Sequence, residues 1–327
     1  MNQDVMLQVQ DLSTHFIFRE GQLKALNGVS VSLKRGQILG VVGESGSGKT
    51  VLALSIMGLI PFPGKVISGQ VMFQGRDLLG LDLEAMRKIR GKEIAMVFQD
   101  ATAGLNPVMQ VGTQVEEMIT THLPISKKAA REETMAAMKD AGLPEPKRVY
   151  ARYPYELSGG MCQRVMLAMA MILQPKVLIA DEPTSSLDVT MQAQIMAKIR
   201  EMRDKNGTSV ILITHDLGLV AQMADEVAVM YAGSLMEYAK TPRIFKRPTN
   251  PYTWSLLQTI TRIDQPDRPL RQVPGNMPNL MNLPDKCSFL SRCPKARNEC
   301  RLQGRPPLDE VETNHLVACY NKMYYQD

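Results

Sequence analysis

The feature that most constrains this chain is a glycine-rich octapeptide at residues 43–50, with the sequence GESGSGKT. It fills the pattern G-x-x-x-x-G-K-[ST], follows the apolar run Ile38–Val42 and opens a helix predicted at about residues 49–59. Such glycines let backbone N–H groups wrap phosphate oxygens at the N-terminus of a helix. The octapeptide therefore predicts a strand, a phosphate-binding loop and a helix within an α/β fold.

The residues of this loop have distinct predicted roles in binding a nucleoside triphosphate. Lys49 neutralises charge on the β- and γ-phosphates, and the hydroxyl of Thr50 ligates Mg²⁺. The other nucleotide-binding candidates in the loop are Gly43, Ser45, Gly46, Ser47 and Gly48. A glycine-rich turn that binds nothing is the alternative, which the Lys-Thr pair between a strand and a helix disfavours.

A second apolar run, residues 177–180, ends in the acids Asp181 and Glu182. A carboxylate at the C-terminal end of a strand, next to a phosphate loop, is where such proteins hold Mg²⁺. We predict that Asp181 takes this role and that Glu182 polarises the water that attacks the γ-phosphate. Alone, an apolar run that ends in two acids fits an ordinary strand end equally well, and only the phosphate loop favours catalysis.

Composition indicates a globular protein and narrows its partners. Its 327 residues suffice for about two domains, and its net charge of +5 comes without the Lys/Arg block typical of nucleic-acid-binding arms. The longest apolar run, residues 51–62, is shorter than the roughly 20 residues of a membrane span, and residues 1–10 lack signal-peptide features. We expect a cytosolic chain that reaches a membrane only through partners and binds no nucleic acid.

Four further motifs follow the phosphate loop and flank the acidic strand. They are Gln99 after a strand predicted at 94–98, LSGGMCQR at 157–164, SSLD at 185–188, and His215 after an apolar strand. LSGGMCQR resembles the LSGGQ signature of ATPases of the ABC transporter family, and the other three resemble its Q-loop, D-loop and switch histidine. Six motifs in the family's order, across about residues 6–236, make this resemblance specific.

The resemblance implies a head-to-tail pair of such domains that encloses two ATP molecules. Ser158 and the backbone of Gly160, with Gly159 between them, would cap the γ-phosphate bound to the other copy, as a helix N-terminus does for an anion. His215 would touch the γ-phosphate and join Glu182 as a catalytic residue. Since neither Glu182 nor the Ser-Gly-Gly core is altered here, the subunit is expected to be catalytically competent.

The remaining implied ligands complete the nucleotide site. Gln99 would join Thr50 and Asp181 around Mg²⁺, and Asp188 of the D-loop would contact the nucleotide. The family also places an aromatic residue that stacks on adenine shortly after its first strand. Phe16 fits this position, and Phe18, which points the same way on a strand, is the alternative.

One pair of residues departs from the family pattern. Met161 and Cys162 stand where the family more often has polar residues after the two glycines. We expect ATP capping to be unaffected, because the capping atoms precede this pair. Cys162 is predicted to be a buried helix residue without a redox role.

The chain becomes rich in proline after residue 241, which predicts a linker or extended segment leading into a tail that carries four of the five cysteines. The prolines concerned are Pro242, Pro248, Pro251, Pro266, Pro269, Pro274, Pro278 and Pro284. We predict an ABC-type P-loop ATPase domain at 1–240, with a helical subdomain at about 100–165. A proline-rich, cysteine-bearing C-terminal extension follows at 241–327.

The extension narrows the resemblance to one subfamily. PYTWSLL at 251–257, VPGNMP at 273–278, RCP at 292–294 and the Q-loop stretch at 98–107 resemble ATPases of dipeptide/oligopeptide permeases, which usually carry proline at the position of Ala101. This implies a peptide importer, with nickel chelates and glutathione as alternative solutes. The implied partners are a second ABC ATPase, of the same or a homologous chain, two transmembrane permease subunits and an extracytoplasmic solute-binding protein. The chain would lie peripherally on the cytoplasmic face of the inner membrane.

The tail cysteines are Cys287, Cys293, Cys300 and Cys319, and no two have the C-x-x-C spacing of zinc ribbons. Four thiolates on irregular loops suit a cubane cluster better, and the subfamily resemblance also implies a 4Fe-4S cluster. A zinc site, and unligated thiols or disulfides, are the alternatives. A structural role is expected, since a proline-rich tail has little core of its own.

Two other classes of protein fit the sequence less well. Soluble ABC ATPases of DNA repair or translation usually carry two nucleotide domains in one chain or large insertions, whereas this chain has one phosphate loop and one signature. An exporter half would carry a fused membrane segment, and no apolar run here is long enough for one. An importer subunit is therefore the favoured interpretation.

Overall fold

A computed structural model describes residues 4–185, 187–260 and 272–324 of the chain. Tertiary contacts divide the chain into two units. The first unit comprises Met1–Leu33, Ile38–Leu79 and Leu212–Asp327, and the second comprises Lys34–Gln37 and Gly80–Ile211. The domain bounds predicted above follow motifs rather than contacts, and they stay a prediction.

The first unit contains a four-stranded sheet near the start of the chain. Its strands are β1 (Val5–Phe18), β2 (Gly21–Lys34), β4 (Gly64–Phe73) and β5 (Arg76–Asp77), in the order β2-β1-β4-β5. Strands β1 and β4 are antiparallel, with Leu7 opposite Phe73 and Phe16 opposite Gly64. The alternating pattern of residues 6–39 thus forms long strands with one face packed on the core.

A second set of strands forms the main sheet of the first unit. It runs β3 (Ile38–Val42), β9 (Glu226–Tyr231), β10 (Ser234–Lys240), β12 (His315–Ala318) and β11 (Leu308–Glu312). Strands β3 and β9 are parallel, and β9, β10, β12 and β11 pair antiparallel in turn. All residues of β3 and β9 are buried, as expected of strands covered on both faces. Two strands of the C-terminal extension therefore lengthen this sheet.

The described part of the first unit contains α1 (Lys49–Met57), α9 (Leu217–Met223), α10 (Thr241–Lys246), α11 (Pro251–Leu257) and α12 (Asn298–Leu302). The proline pattern did not predict two of these helices, α10 and α11. The prediction of a linker or extended segment is wrong at α10 and α11, because Pro242 and Pro251 lie in the first helical turn, where a missing N–H costs nothing. Pro266 and Pro269 lie outside the described residues.

A buried carboxylate ties the extension to β10. Glu237 is fully buried and accepts hydrogen bonds from the backbone N–H groups of Thr249 at 2.7 Å and Asn250 at 3.0 Å. Its Oε1 also lies 2.8 Å from Nε2 of His315, whose Nδ1 accepts from Arg243. Since buried charge is tolerated only where its oxygens are hydrogen-bonded, this network fixes the start of the extension and β12 to one strand.

The second unit consists of short parallel strands and a set of helices. Strand β6 (Ile94–Val97) pairs in parallel with β7 (Val177–Asp181), and β8 (Ser209–Ile213) begins in this unit and continues into the first. Its helices are α2 (Leu83–Ile89), α3 (Ala101–Gly104), α4 (Val111–His122), α5 (Lys127–Asp140), α6 (Pro146–Tyr150), α7 (Gly159–Met171) and α8 (Val189–Asn206). Helices α4, α5 and α6 lie within the range predicted for a helical subdomain, about residues 100–165. Within the three described ranges, no helix combines the length and apolar character needed to cross a bilayer.

Candidate active site

The phosphate loop of the first unit follows β3 directly and ends in α1. Gly43 has a φ of +154°, and a Cβ there would lie 2.1 Å from the carbonyl oxygen of Met230. Gly48, with a φ of +100°, caps α1, and a Cβ there would lie 2.5 Å from the carbonyl oxygen of Ala25. Both positions require glycine, because any side chain would clash with the backbone behind the loop.

Lys49 lies inside this loop with 8% of its surface exposed. Its Nζ donates to the carbonyl oxygens of Gly43 at 2.9 Å and Glu44 at 3.0 Å and lies 3.4 Å from Oγ of buried Ser47. Ser45, Gly46 and Thr50 are exposed. The loop therefore presents open backbone and a hydroxyl to solvent and holds a cation at its centre, as phosphate binding requires.

Glu44 is held by two residues distant in sequence, Tyr252 and Arg292, which sequence reasoning missed. Its backbone N–H donates to the hydroxyl of Tyr252 at 3.0 Å, and its Oε2 accepts from Nη1 of Arg292 at 2.8 Å. The same Nη1 donates to the hydroxyl of Tyr231 at 3.1 Å. No local pattern signals these contacts, since 208 and 248 residues separate Glu44 from Tyr252 and Arg292.

The first unit also carries the predicted adenine and γ-phosphate contacts. Phe16, at the end of β1, is partly exposed, and its Cε1 would lie 2.9 Å from a Cβ on Gly64. Phe18 is 41% exposed, so both aromatic rings offer surface to a ligand and the choice of Phe16 stays a prediction. His215 is exposed in the loop between β8 and α9, just before Asp216, which caps α9.

In the second unit, the residues predicted to bind Mg²⁺ and to polarise the attacking water follow buried strands. Asp181 is the last residue of β7 and is 1% exposed, and Glu182 is 9% exposed. Glu182 has a φ of +48°, a conformation that is costly for a side chain with a Cβ and recurs at active sites. Gln99 is exposed two residues after β6, and Asp100 beside it caps α3.

The predicted signature forms the exposed N-terminus of α7. Ser158 is the N-cap residue, and its hydroxyl accepts from the N–H of Met161 at 3.4 Å. Ser158 and Gly159 are exposed, whereas a Cβ on Gly160 would lie 2.9 Å from Cε of Met191. The helix dipole and free N–H groups at this end suit an anion.

Two neighbouring predictions have different outcomes. Cys162 is 1% exposed on α7, and burial raises the pKa of its thiol, so the prediction of a buried helix cysteine is confirmed. Asp188 is the N-cap residue of α8, where its carboxylate accepts from the N–H of Met191 at 2.9 Å. A nucleotide contact by Asp188 stays a prediction, and Ser186 of the same motif lies outside the described residues.

The four tail cysteines line one pocket of the first unit, with about 360 Å³ of empty space including its open mouth. All five cysteines fall within the described residues and are free thiols. Burial raises the pKa of Cys287 to about 11 and that of Cys319 to about 12, and it also raises the pKa of Cys293. Among the described residues, no three His, Cys, Asp or Glu side chains form a group that could hold a metal ion.

A strand, a glycine loop closed around a lysine, and a helix define the class of this protein as a P-loop nucleoside triphosphatase. Comparison with known proteins gives the family. The family described as "ABC transporter" matches residues 26–185, and that described as "Oligopeptide/dipeptide transporter, C-terminal region" matches residues 236–300. The chain belongs to the ABC transporter family, among the oligopeptide/dipeptide ATP-binding proteins.

Relatives match along nearly the whole chain. It is 44% identical to the oligopeptide transport ATP-binding protein OppD of Salmonella typhimurium, over 97% of this chain and 94% of the relative. It is 46% identical to the dipeptide transport ATP-binding protein DppD of Bacillus subtilis, over 96% of this chain and 94% of the relative. The resemblance inferred from the motifs is thus confirmed.

Among solved structures, the chain is similar to the ATP-binding cassette MJ0796, in a dimeric post-hydrolysis state bound to ADP and Pi. The TM-score is 0.67 at 27% identity, and the match covers 72% of this chain and 99% of that one. The prediction of an α/β ABC ATPase fold is confirmed. The chain is an ATPase of this family, for which ATP and Mg²⁺ are the expected ligands.

Proposed function

We propose that this chain binds and hydrolyses ATP to power an ABC importer of di- or oligopeptides. The observation that carries the proposal is similarity along the whole length to peptide-transport ATP-binding proteins, including the match of the C-terminal region at residues 236–300. The ATPase core is shared with many ABC proteins, whereas the extension is matched by a peptide-transporter family.

The phosphate loop would bind the triphosphate through its backbone N–H groups and Lys49. Thr50, Asp181 and Gln99 would hold Mg²⁺, and their hydroxyl, carboxylate and amide oxygens are the donors that this hard cation prefers. Glu182 would polarise the attacking water, and His215 would contact the γ-phosphate. Since phosphoryl transfer depends on positioning and charge neutralisation, no covalent nucleophile is needed.

Transport would be driven by closure of two such domains around ATP, head to tail. The exposed N-terminus of α7 supports this, because Ser158 and Gly159 are accessible to a nucleotide bound to the other domain. The second domain would come from a homologous ATPase. Two transmembrane permease subunits and a solute-binding protein would complete the importer, and the chain would act on the cytoplasmic face of the membrane.

We also propose that Cys287, Cys293, Cys300 and Cys319 hold a 4Fe-4S cluster with a structural role. The donor set supports this, because all four thiols line one pocket whose other lining residues, among those that the structure describes, include no His, Asp or Glu. Zinc is less suited, because no two of these four cysteines have the C-x-x-C spacing usual in zinc ribbons. Burial disfavours bare thiolates here, and the positive charge of iron would offset that cost.

An uptake experiment tests the solute. Cells that lack the gene are complemented with the wild-type chain or with Glu182→Gln, and uptake of labelled dipeptide, tripeptide, glutathione and a nickel chelate is measured. We expect only the wild-type chain to restore peptide uptake. Restored nickel or glutathione uptake with unchanged peptide uptake would replace the peptide assignment, and equal uptake with Glu182→Gln would reject ATP-driven transport by this chain.

A further inference from the structure

Glu44 places a carboxylate in the loop that binds a triphosphate. Its side chain is only 24% exposed, so water screens it less than a surface carboxylate. Two negative groups at close range disfavour each other's charged forms. Unless its charge is neutralised, Glu44 would therefore weaken binding of the polyanionic ligand.

Arg292 neutralises this carboxylate from the C-terminal extension. Its side chain is 5% exposed, and its Nη1 donates to Oε2 of Glu44 at 2.8 Å. The other nitrogens of the guanidinium are also engaged, Nε with the carbonyl oxygen of Pro274 at 2.6 Å and Nη2 with that of Val273 at 3.1 Å. Because all three nitrogens donate to fixed acceptors, the planar guanidinium has one orientation, in which its positive charge lies against the carboxylate of Glu44.

An aromatic cluster of Tyr231, Tyr252 and Phe289 fixes the segment that carries Arg292. The three rings are buried, with centroids 4.6, 5.3 and 5.1 Å apart. Cζ of Arg292 lies 5.7 Å from the Tyr231 ring centroid and 6.0 Å from that of Phe289. Cation–π attraction adds to the hydrogen bonds, so Arg292 is held before any ligand binds.

The backbone of Glu44 is held as well as its side chain. Its N–H donates to the hydroxyl of Tyr252, a fully buried residue of α11, and its carbonyl oxygen accepts from Lys49. The first turn of the phosphate loop is thus fixed on one side by Lys49 and on the other by Tyr252 and Arg292. Because the loop is already held in place, ordering it costs less free energy when the ligand binds.

We propose that Arg292 is a positioning residue of the ATP site, which neutralises Glu44 and keeps its carboxylate turned from the phosphates. Tyr252 assists by holding the backbone of the same residue. The C-terminal extension is then part of the nucleotide-binding machinery. This inference rests on the proposed function, since it requires ATP to occupy the loop at residues 43–50.

A double-mutant cycle on the full chain tests the charge pairing. Equilibrium binding of a fluorescent ATP analogue with Mg²⁺ is measured for wild type, Arg292→Gln, Glu44→Gln and the double variant. We expect Arg292→Gln to weaken affinity about tenfold at low salt, and less at high salt, because an unpaired carboxylate then faces the phosphates. Glu44→Gln should stay within about threefold of wild type, and so should the double variant, since removing both charges removes the repulsion.

If Arg292 only anchored the fold, the ATP affinities of the four proteins would follow a different pattern. Arg292→Gln would then weaken binding by the same factor in the wild-type and the Glu44→Gln backgrounds, and this additivity would overturn the proposal, as would unchanged affinity in Arg292→Gln. Arg292→Lys should recover part of the loss, because it restores the charge without the fork. Lys49→Ala distinguishes failure of the proposed function from failure of the role of Arg292. Retained ATP affinity in Lys49→Ala would reject the proposed function. If Lys49→Ala loses affinity and the Arg292/Glu44 cycle is additive, only the role of Arg292 is rejected.

A second variant covers the case in which Arg292→Gln does not fold. Tyr252→Phe keeps the ring in the aromatic cluster and removes only the hydroxyl that accepts from Glu44, so we expect about threefold weaker ATP binding. Tyr238→Phe is the matched control, since its hydroxyl bonds to Ser32 and Glu226, away from the loop. Equal affinities for the two variants would argue against a role of the extension in holding Glu44.

Discussion

The phosphate loop and the cysteine pocket, both in the first unit, are built in opposite ways. The loop occupies eight consecutive residues, from the end of β3 into the first turn of α1, and its shape follows from glycines at positions where a side chain would clash with the backbone behind the loop. The four thiols of the pocket are spread over residues 287–319, on short segments joined by irregular chain. The contacts proposed for ATP in the loop come mainly from local backbone, whereas those proposed for a cluster in the pocket come from side chains that tertiary contacts bring together.

This difference has a consequence for mutation. Substitutions in the loop should impair nucleotide binding without unfolding it, because its strand and helix are held by the buried core on either side. The pocket should lose stability with its ligands, because the segments around it bury few large apolar residues of their own. Substitutions in each region therefore test whether chemistry and stability are separated in this chain.

The largest effect is expected at the carboxylate proposed to be catalytic. Glu182→Gln removes the base proposed to polarise water, so ATP turnover should fall about 10²- to 10⁴-fold while ATP affinity stays within about threefold. Steady-state hydrolysis and equilibrium nucleotide binding measure the two quantities, and iron content should match wild type. Turnover near the wild-type rate would remove Glu182 from its proposed role.

A smaller effect is expected in the loop itself. Lys49→Ala deletes the ammonium group at the loop's centre, and ATP affinity should fall about 100-fold, as expected for a lost charge-assisted contact with the phosphates. The melting temperature should change little in the absence of nucleotide. Differential scanning calorimetry measures the melting temperature. A large fall would contradict the expectation that the loop can lose nucleotide binding without losing stability.

The smallest effect on nucleotide binding is expected in the pocket. Cys319→Ser should abolish iron binding and the broad absorbance near about 400 nm of anaerobically purified protein. Unfolding free energy should fall by about 1–3 kcal/mol, with ATP affinity within about threefold of wild type. The matched control is Cys162→Ala, a buried cysteine outside the pocket, which should keep the iron. Iron-free wild-type protein would reject the cluster, and a 100-fold loss of ATP affinity in Cys319→Ser would erase the contrast between the regions.

The sequence was sufficient to predict the frame of the nucleotide site. Strand Ile38–Val42 has the predicted bounds, and β6 and β7 each differ from prediction by one residue at one end. Their apolar runs and the motifs that follow them are local signals, so each stretch could be interpreted without knowing its neighbours. Ser158 at the start of α7 was predictable for the same reason.

The extension could not be predicted in the same way. Proline density indicated a linker, yet Pro242 and Pro251 lie in the first turns of α10 and α11, and β12 joins β10 through only two paired positions. The contacts of Tyr252 and Arg292 with Glu44 join residues more than 200 positions apart. Contacts of this kind depend on how elements pack, and a single sequence carries no periodic signal for them.

Strand β11 has a consequence for association between copies of the chain. It forms the outer edge of its sheet, and three of its five residues are acids, Asp309, Glu310 and Glu312. An uncovered edge is a template for unwanted strand pairing, and the charged side chains of β11, two of which form ion pairs with Arg243 and Lys322, disfavour such pairing. The C-terminal hairpin thus covers β10, which would otherwise be exposed, and ends the sheet on a border that resists aggregation.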